Sequence, residues 1–193
     1  MAQFYLRADE WAMYRQKPAL DWLLGRIAAK DAVRDWLRQH KGMLLHPLEV
    51  EIVNQADGAP RLLVPRMPSL AISIAHTEDE AIAIVSQAPG VGVDLAAVKE
   101  RGREFSDFAF RDDELSSLPQ SSRDVWIHRG WCAKEAAVKA FRLGFAELPQ
   151  LRIVAVEERT GAVEMECKPR GIKIAAATWL DQDRTIAVVV PAS

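Results

Sequence analysis

A long run of helical spacing followed by several short strands occurs twice in this chain, and that order constrains the fold more than any single motif. Trp22, Leu23, Ile27, Val33, Trp36 and Leu37 share the apolar spacing of a helix over 21–37, interrupted only by Gly25. Strands are predicted at 48–54, 70–75, 81–86 and 91–96, with a Gly- and Pro-bearing turn at 55–62. The segment 99–123 is polar around Phe105, Phe108 and Phe110 and reads as short helices and a loop. A second long helix covers about 124–143, and strands return at 151–157, 162–167, 172–179 and 184–190. The pattern predicts an α+β pseudo-dimer. Its two similar halves, 1–98 and 99–193, each pack a long helix on an antiparallel sheet, with a cleft between them. The repeat is read from the pattern of elements and not from sequence identity between the halves.

The chain has 193 residues, 49% hydrophobic and 27% charged, enough to bury a core without disulfide staples. A formal net charge of −2 and the lack of a basic patch argue against nucleic acid as a partner. Cys132 and Cys167 have no metal-ligand spacing and suit a reducing compartment. The opening "MAQFYLRADE" lacks the apolar stretch of a signal peptide, and no run approaches the roughly 20 residues that span a bilayer. A soluble, cytoplasmic protein is expected.

The links "HTEDE" and "QAPG" between the strands at 70–75, 81–86 and 91–96 are short enough to imply an antiparallel meander. Its first and third strands would run the same way, bringing His76 and Asp94 toward one sheet edge. Taken singly, His76 reads equally as a strand-end hydrogen-bonder and Asp94 as a turn residue.

The stretch "WCAKEAAVKA" (131–140) sharpens the picture. At about 100° per residue, Ala133, Ala136, Ala137 and Ala140 fall in one arc. Trp131, Glu135, Val138 and Arg142 point the other way, with Lys139 beside them and Lys134 off to the side. An alanine face allows close approach to another element and fixes the height of the charged face. Glu135 and Lys139 then read either as an ordinary i,i+4 pair or as half of a site completed by Asp94. Two carboxylates suit a hard cation of the Mg²⁺ type, which takes one or two carboxylates, waters and substrate phosphates. Without a cation, a carboxylate about 4 Å from a phosphate charge costs roughly 4 kcal/mol at an effective dielectric near 20.

The order of these residues resembles the 4′-phosphopantetheinyl transferase superfamily. "VGVDLA" followed by "WCAKEAAVKA" is similar to its Gly-x-Asp strand and its Trp-x-x-Lys-Glu-x-x-x-Lys helix. "DGAPRL", "ISIAH" and "LLGRIAAKDAVR" stand in order where its Gly-Lys-Pro block, Ile-Ser-His block and first helix belong. Length and the doubled pattern resemble the larger, surfactin-synthetase-activating type, a pseudo-dimer in one chain and so a monomer. The resemblance implies transfer of the phosphopantetheine arm of coenzyme A to a serine of an apo acyl or peptidyl carrier protein, releasing adenosine 3′,5′-bisphosphate. It implies Mg²⁺ on Asp94 and Glu135, Glu135 as base, and Lys139 as the group that stabilises phosphate charge. Arg26, His76, Lys134 and Lys139 would contact coenzyme A, with Gly58 and Pro60 against the adenine and Trp131 in support.

Three departures stand out. Asp-x-Glu becomes Asp94-Leu95-Ala96, the Lys of Gly-Lys-Pro is Ala59, and the Ser of Ser-His is Ala75. The alternative reading is a coenzyme A-binding or carrier-binding module without catalysis. The stretch before the first helix is short for the larger type, so its opening strand is either missing or shifted to "QFYLRA". Excision from a longer synthase would explain this.

Overall fold

A computed structural model describes residues 2–63 and 69–191 and divides the chain into two compact units between Gly90 and Val91. The first unit opens with α1 (Ala2–Tyr5) and α2 (Ala8–Gln16), so "QFYLRA" is not a strand. Then α3 (Leu20–Lys41) runs until Gly42 takes the left-handed conformation that closes a helix, its N–H donating to the Arg38 carbonyl. Four strands follow: β1 (Glu51–Asn54), β2 (Pro60–Leu63), β3 (Ala71–His76) and β4 (Ala81–Ser86). β1 pairs with β2 and β3 with β4, all antiparallel, and β2 lies beside β3. Ala29, Val33 and Leu37 of α3 bury against Val50, Ile52 and Ile72, which explains the apolar spacing of that helix.

The second unit contains β5 (Gly92–Ala97), α4 (Arg103–Ala109), α5 (Asp112–Ser117) and α6 (Arg123–Phe141). After α6 come β6 (Leu151–Glu157), β7 (Ala162–Cys167), β8 (Ile172–Asp181) and β9 (Arg184–Val189). The five strands form one antiparallel sheet in the order β5-β9-β8-β7-β6. Ala133, Ala136, Ala137 and Ala140 are all buried in its core, as the helical wheel predicts.

The expected three-strand meander does not form. β5 leaves β4 and pairs along its whole length with β9, from Gly92 opposite Val189 to Ala97 opposite Arg184. Val93 and Leu95 are buried on one side of the strand, while Gly92 lies against α6 on the other. Gly92 seats the strand on α6, and that packing rather than the short link to β4 places it beside β9. His76 and Asp94 therefore sit in different sheets and different units, and the division falls after Gly90 rather than after residue 98.

The two units share an internal plan that the sequence reading missed. In unit 1, Lys30 of α3 is buried, pairs with the buried Glu10 of α2, and donates to the Tyr5 carbonyl, while Glu10 also accepts from the Arg7 N–H. In unit 2, Lys134 of α6 is buried, pairs with the buried Glu114 of α5, and donates to the Ala109 carbonyl, while Glu114 accepts from the Arg111 N–H. Tyr5, Arg7, Glu10 and Lys30 each precede their counterparts by 104 positions. The same offset superimposes Trp22 on Trp126, Ala29 on Ala133, Ala32 on Ala136, and β1–β4 on β6–β9. A long helix followed by four strands is thus the repeated module, with the strands paired as two hairpins in unit 1 and in one sheet in unit 2.

Candidate functional site

The site in unit 2 begins with a glycine. A Cβ at position 92 would collide with the carbonyl oxygen of Ala136 and crowd the backbone N of Ala140. Glycine lets β5 lie directly on the alanine face of α6. Two residues on, along the same face of the strand, Asp94 reaches the helix. Its Oδ1 accepts from Lys139 Nζ at 2.8 Å, and the same ammonium donates to the Val93 carbonyl at 3.0 Å. Lys139 thus pairs with Asp94 rather than serving in a solvated pair with Glu135.

Glu135 shares this region. Its carboxyl is held above the usual range, first by burial and then by the negative charge of Asp94, with Lys139 offsetting part of the effect. Cys132, one turn earlier on α6, is buried with Sγ 3.3 Å from Thr185 Oγ1 on β9. Burial, then the Asp94 charge, pushes its thiol far up, so it is a packed, unreactive cysteine. Thr185 Oγ1 also lies 3.3 Å from the Ala96 carbonyl, to which it can donate, and residues 96 and 185 face each other across the ladder. Sequence reading missed Cys132 and Thr185 because their relation to Asp94 exists only once β5 and β9 are paired.

Two carboxylates against one ammonium leave net negative charge in a half-buried place. That donor set fits a hard, oxygen-preferring cation such as Mg²⁺, which keeps several waters. Among the described residues no cluster of three or more His, Cys, Asp or Glu side chains arranged for a metal occurs. Asp94 and Glu135 are the carboxylates this region brings together, and Ala96 carries no side-chain oxygen.

Two residues expected at coenzyme A are buried and already partnered. Lys134 is 1% exposed, lies 2.7 Å from Glu114 Oε1, donates to the Ala109 carbonyl at 2.9 Å and faces the Phe110 ring. It is a core tie between α5 and α6. Arg26 is 6% exposed and pins α3 to β1, donating at 2.8 Å to both the Ile52 carbonyl and Asn54 Oδ1. Helical spacing set Lys134 to the side of Glu135 but did not show what would cover it, and Arg26 was expected at coenzyme A from the resemblance alone.

The other expected residues remain on the surface or beside the site. His76, at the end of β3, is exposed, with Nδ1 3.6 Å from Asp21 Oδ2. Gly58 takes φ +82° in the turn from β1 to β2, a conformation that favours glycine, and Pro60 opens β2. Trp131 sits edge-on to Phe105 at 5.2 Å and beside Phe108 at 6.0 Å, explaining the aromatic residues in that polar segment. His128, also on α6, is buried: Nδ1 lies 2.7 Å from the Asp124 carbonyl, and Nε2 accepts from Lys99 N and Arg101 Nε. It fastens to α6 the segment that leaves β5.

Unit 2 is thus an α+β module with a strand-borne aspartate facing a helix-borne glutamate and lysine, a constellation suited to handling phosphate with a cation. The chain belongs to the 4′-phosphopantetheinyl transferase superfamily, whose sequence profile matches residues 90–189, from the division between the units to the end of β9. A holo-[acyl-carrier-protein] synthase of Thermodesulfovibrio yellowstonii (strain ATCC 51303 / DSM 11347 / YP87) is 38% identical over 64 residues, 33% of this chain and 55% of that protein. The match therefore spans about half of that relative's length. Among solved structures, a holo-(acyl-carrier-protein) synthase from Bacillus anthracis str. Ames, in complex with CoA (3',5'-ADP), is similar at a TM-score of 0.42 and 17% identity, over 53% of this chain and 95% of that one. No helix among the described residues is long and apolar enough to cross a membrane.

Proposed function

We propose that this chain transfers the 4′-phosphopantetheine arm of coenzyme A to a serine of an apo acyl or peptidyl carrier protein. The observation that carries the reading is the convergence of Asp94, Glu135 and Lys139 within the segment matched by the family. In the reaction the serine oxygen forms a bond to the β-phosphorus of coenzyme A. The bond from that phosphorus to the bridging oxygen breaks, and the electron pair leaves with adenosine 3′,5′-bisphosphate. Asp94 and Glu135 would hold Mg²⁺, which when bound supplies positive charge for the pyrophosphate. Glu135 takes the serine proton directly or through water. Lys139 offers an ammonium to phosphate oxygens, where positioning and electrostatics dominate the chemistry.

With Arg26 and Lys134 engaged in the core, the remaining candidates for coenzyme A contact are His76 and the Gly58–Pro60 turn, together with Lys139. The doubled module supports the larger, single-chain type of transferase, acting as a monomer. The test is intact-mass analysis of a panel of apo carrier proteins incubated with coenzyme A, Mg²⁺ and this protein. Gain of one phosphopantetheine arm on any carrier supports the reading and names the partner. Coenzyme A binding without any mass gain across the panel would favour the non-catalytic module.

A further inference from the structure

The ion pair at the centre of the site has a partner to lose. Lys139 Nζ spends one donor on Asp94 Oδ1 at 2.8 Å and another on the Val93 carbonyl at 3.0 Å, so it is clamped to both side chain and backbone of β5. The pair is only partly shielded: the Asp94 side chain is 13% exposed and that of Lys139 31% exposed. Glu135 has no hydrogen bond among the causes that shift its carboxyl. Burial and the Asp94 charge act on it, and Lys139 is the cation that offsets them.

We propose that Lys139 is an exchangeable counter-ion, competing with a divalent cation for Asp94 and freed toward phosphate only when that cation arrives. This rests on the proposed function and adds an order to it. A cation approaching alone must displace a hydrogen-bonded ammonium from Asp94 and leave that ammonium without an anion. A cation approaching with a pyrophosphate brings the anion that the displaced ammonium needs. Metal binding without nucleotide is therefore opposed, and metal binding with nucleotide is cooperative. The same lysine then acts before the reaction as a guard of the aspartate and during it as a phosphate ligand. Burial of the Ala136 face fixes the height of α6 over β5, so the side chain needs only to rotate rather than move with its helix.

The experiment measures Mn²⁺ binding to the cofactor-free protein by electron paramagnetic resonance of the free ion. Lys139→Gln should bind Mn²⁺ about tenfold more tightly than wild type, the effect of removing roughly 1.4 kcal/mol of competition. Lys139→Arg, which keeps a cation for Asp94, should stay within about twofold of wild type. In the double variant Asp94→Asn, Lys139→Gln the gain should vanish. Unchanged or weaker Mn²⁺ binding in Lys139→Gln overturns the proposal, as does a gain that survives loss of Asp94 or appears equally in Lys139→Arg. Adding coenzyme A separates this from the underlying reading. If wild type binds Mn²⁺ with coenzyme A but Lys139→Gln shows no gain without it, only the exchange is wrong. If wild type binds no Mn²⁺ even with coenzyme A, the metal-assisted reading fails too.

Discussion

Two lysines five positions apart on α6 do opposite work, and the difference lies in what surrounds each head group. Lys134 is enclosed with Glu114, and burial, first among its influences, depresses the ammonium despite that partner. Removing it leaves Glu114 with the Arg111 and Ile153 N–H groups but without its cation. Lys134→Met should cost about 3 kcal/mol or more in urea unfolding, while the folded fraction keeps its KM for coenzyme A. Lys139→Ala should shift unfolding by no more than about 1 kcal/mol, as for a partly exposed pair, yet lower transfer by about 100-fold. The opposite pattern in unfolding and kinetics would exchange their roles. Glu135→Gln preserves shape but removes both the proton acceptor and a hard ligand, so transfer should be lost with an unchanged circular dichroism spectrum. Near wild-type turnover in that variant would refute both roles. At this scale the sequence was informative: helical phase alone set Lys134 apart from Glu135 and Lys139. It was silent about Glu114, which reaches Lys134 from another helix, and about the enclosure of Arg26 under β1.

Among the elements, the second long helix, the strands at 151–157 and 162–167, and the strands that proved to be β4 and β5 were all legible to within a residue or two. Their periodicities are strong, and Gly or Pro punctuates the links. Partnership was not legible. A four-residue link suggested that β5 returns to β4, but its fate depends on the fit of Gly92 against Ala136, a contact 44 positions away in sequence. The same strand is secured at its exit by His128. Burial, the largest influence, holds this imidazole below its ordinary pKa, and its Nε2 must stay unprotonated to accept from Lys99 and Arg101. The unfolded chain takes up a proton near pH 6.5 that the folded chain resists. The stability due to neutral His128 is thus fully present above that pH and is lost as pH falls below it. Between pH 7.5 and 5.5 wild type should lose stability through this group. His128→Gln, which does not titrate, should show a correspondingly smaller difference in urea unfolding. An equal pH dependence in both proteins would remove His128 from the account.

At the scale of the whole molecule, the chain is one module used twice, and the segment matched by the family lies in the second copy. The expected order of helix and strands was right in outline. The identities behind it are scattered and include Arg7 with Arg111, Glu10 with Glu114, Trp22 with Trp126, Ala29 with Ala133, Lys30 with Lys134, Ile82 with Ile186 and Val85 with Val189. The common hydrogen-bonded plan fixes the offset that aligns them. That alignment makes a sharp comparison possible, because it places Asp31 where unit 2 has Glu135 and Asp35 where it has Lys139. Asp31 is committed elsewhere: it accepts from the Tyr5 hydroxyl at 3.0 Å and pairs with Arg34 at 2.7 Å. Asp35 pairs with Arg38 on an exposed face. Asp31→Asn and Asp35→Asn should therefore leave transfer within about twofold of wild type, since neither residue faces a strand-borne carboxylate or a lysine available to phosphate. Lys30→Met, by contrast, should destabilise as Lys134→Met does, by about 3 kcal/mol or more, because the buried Lys–Glu tie is common to both copies. Steady-state transfer assays and urea unfolding on the same four variants read both halves of the prediction. A tenfold loss of turnover in Asp31→Asn with the fold intact would mean that the first copy also contributes to the chemistry.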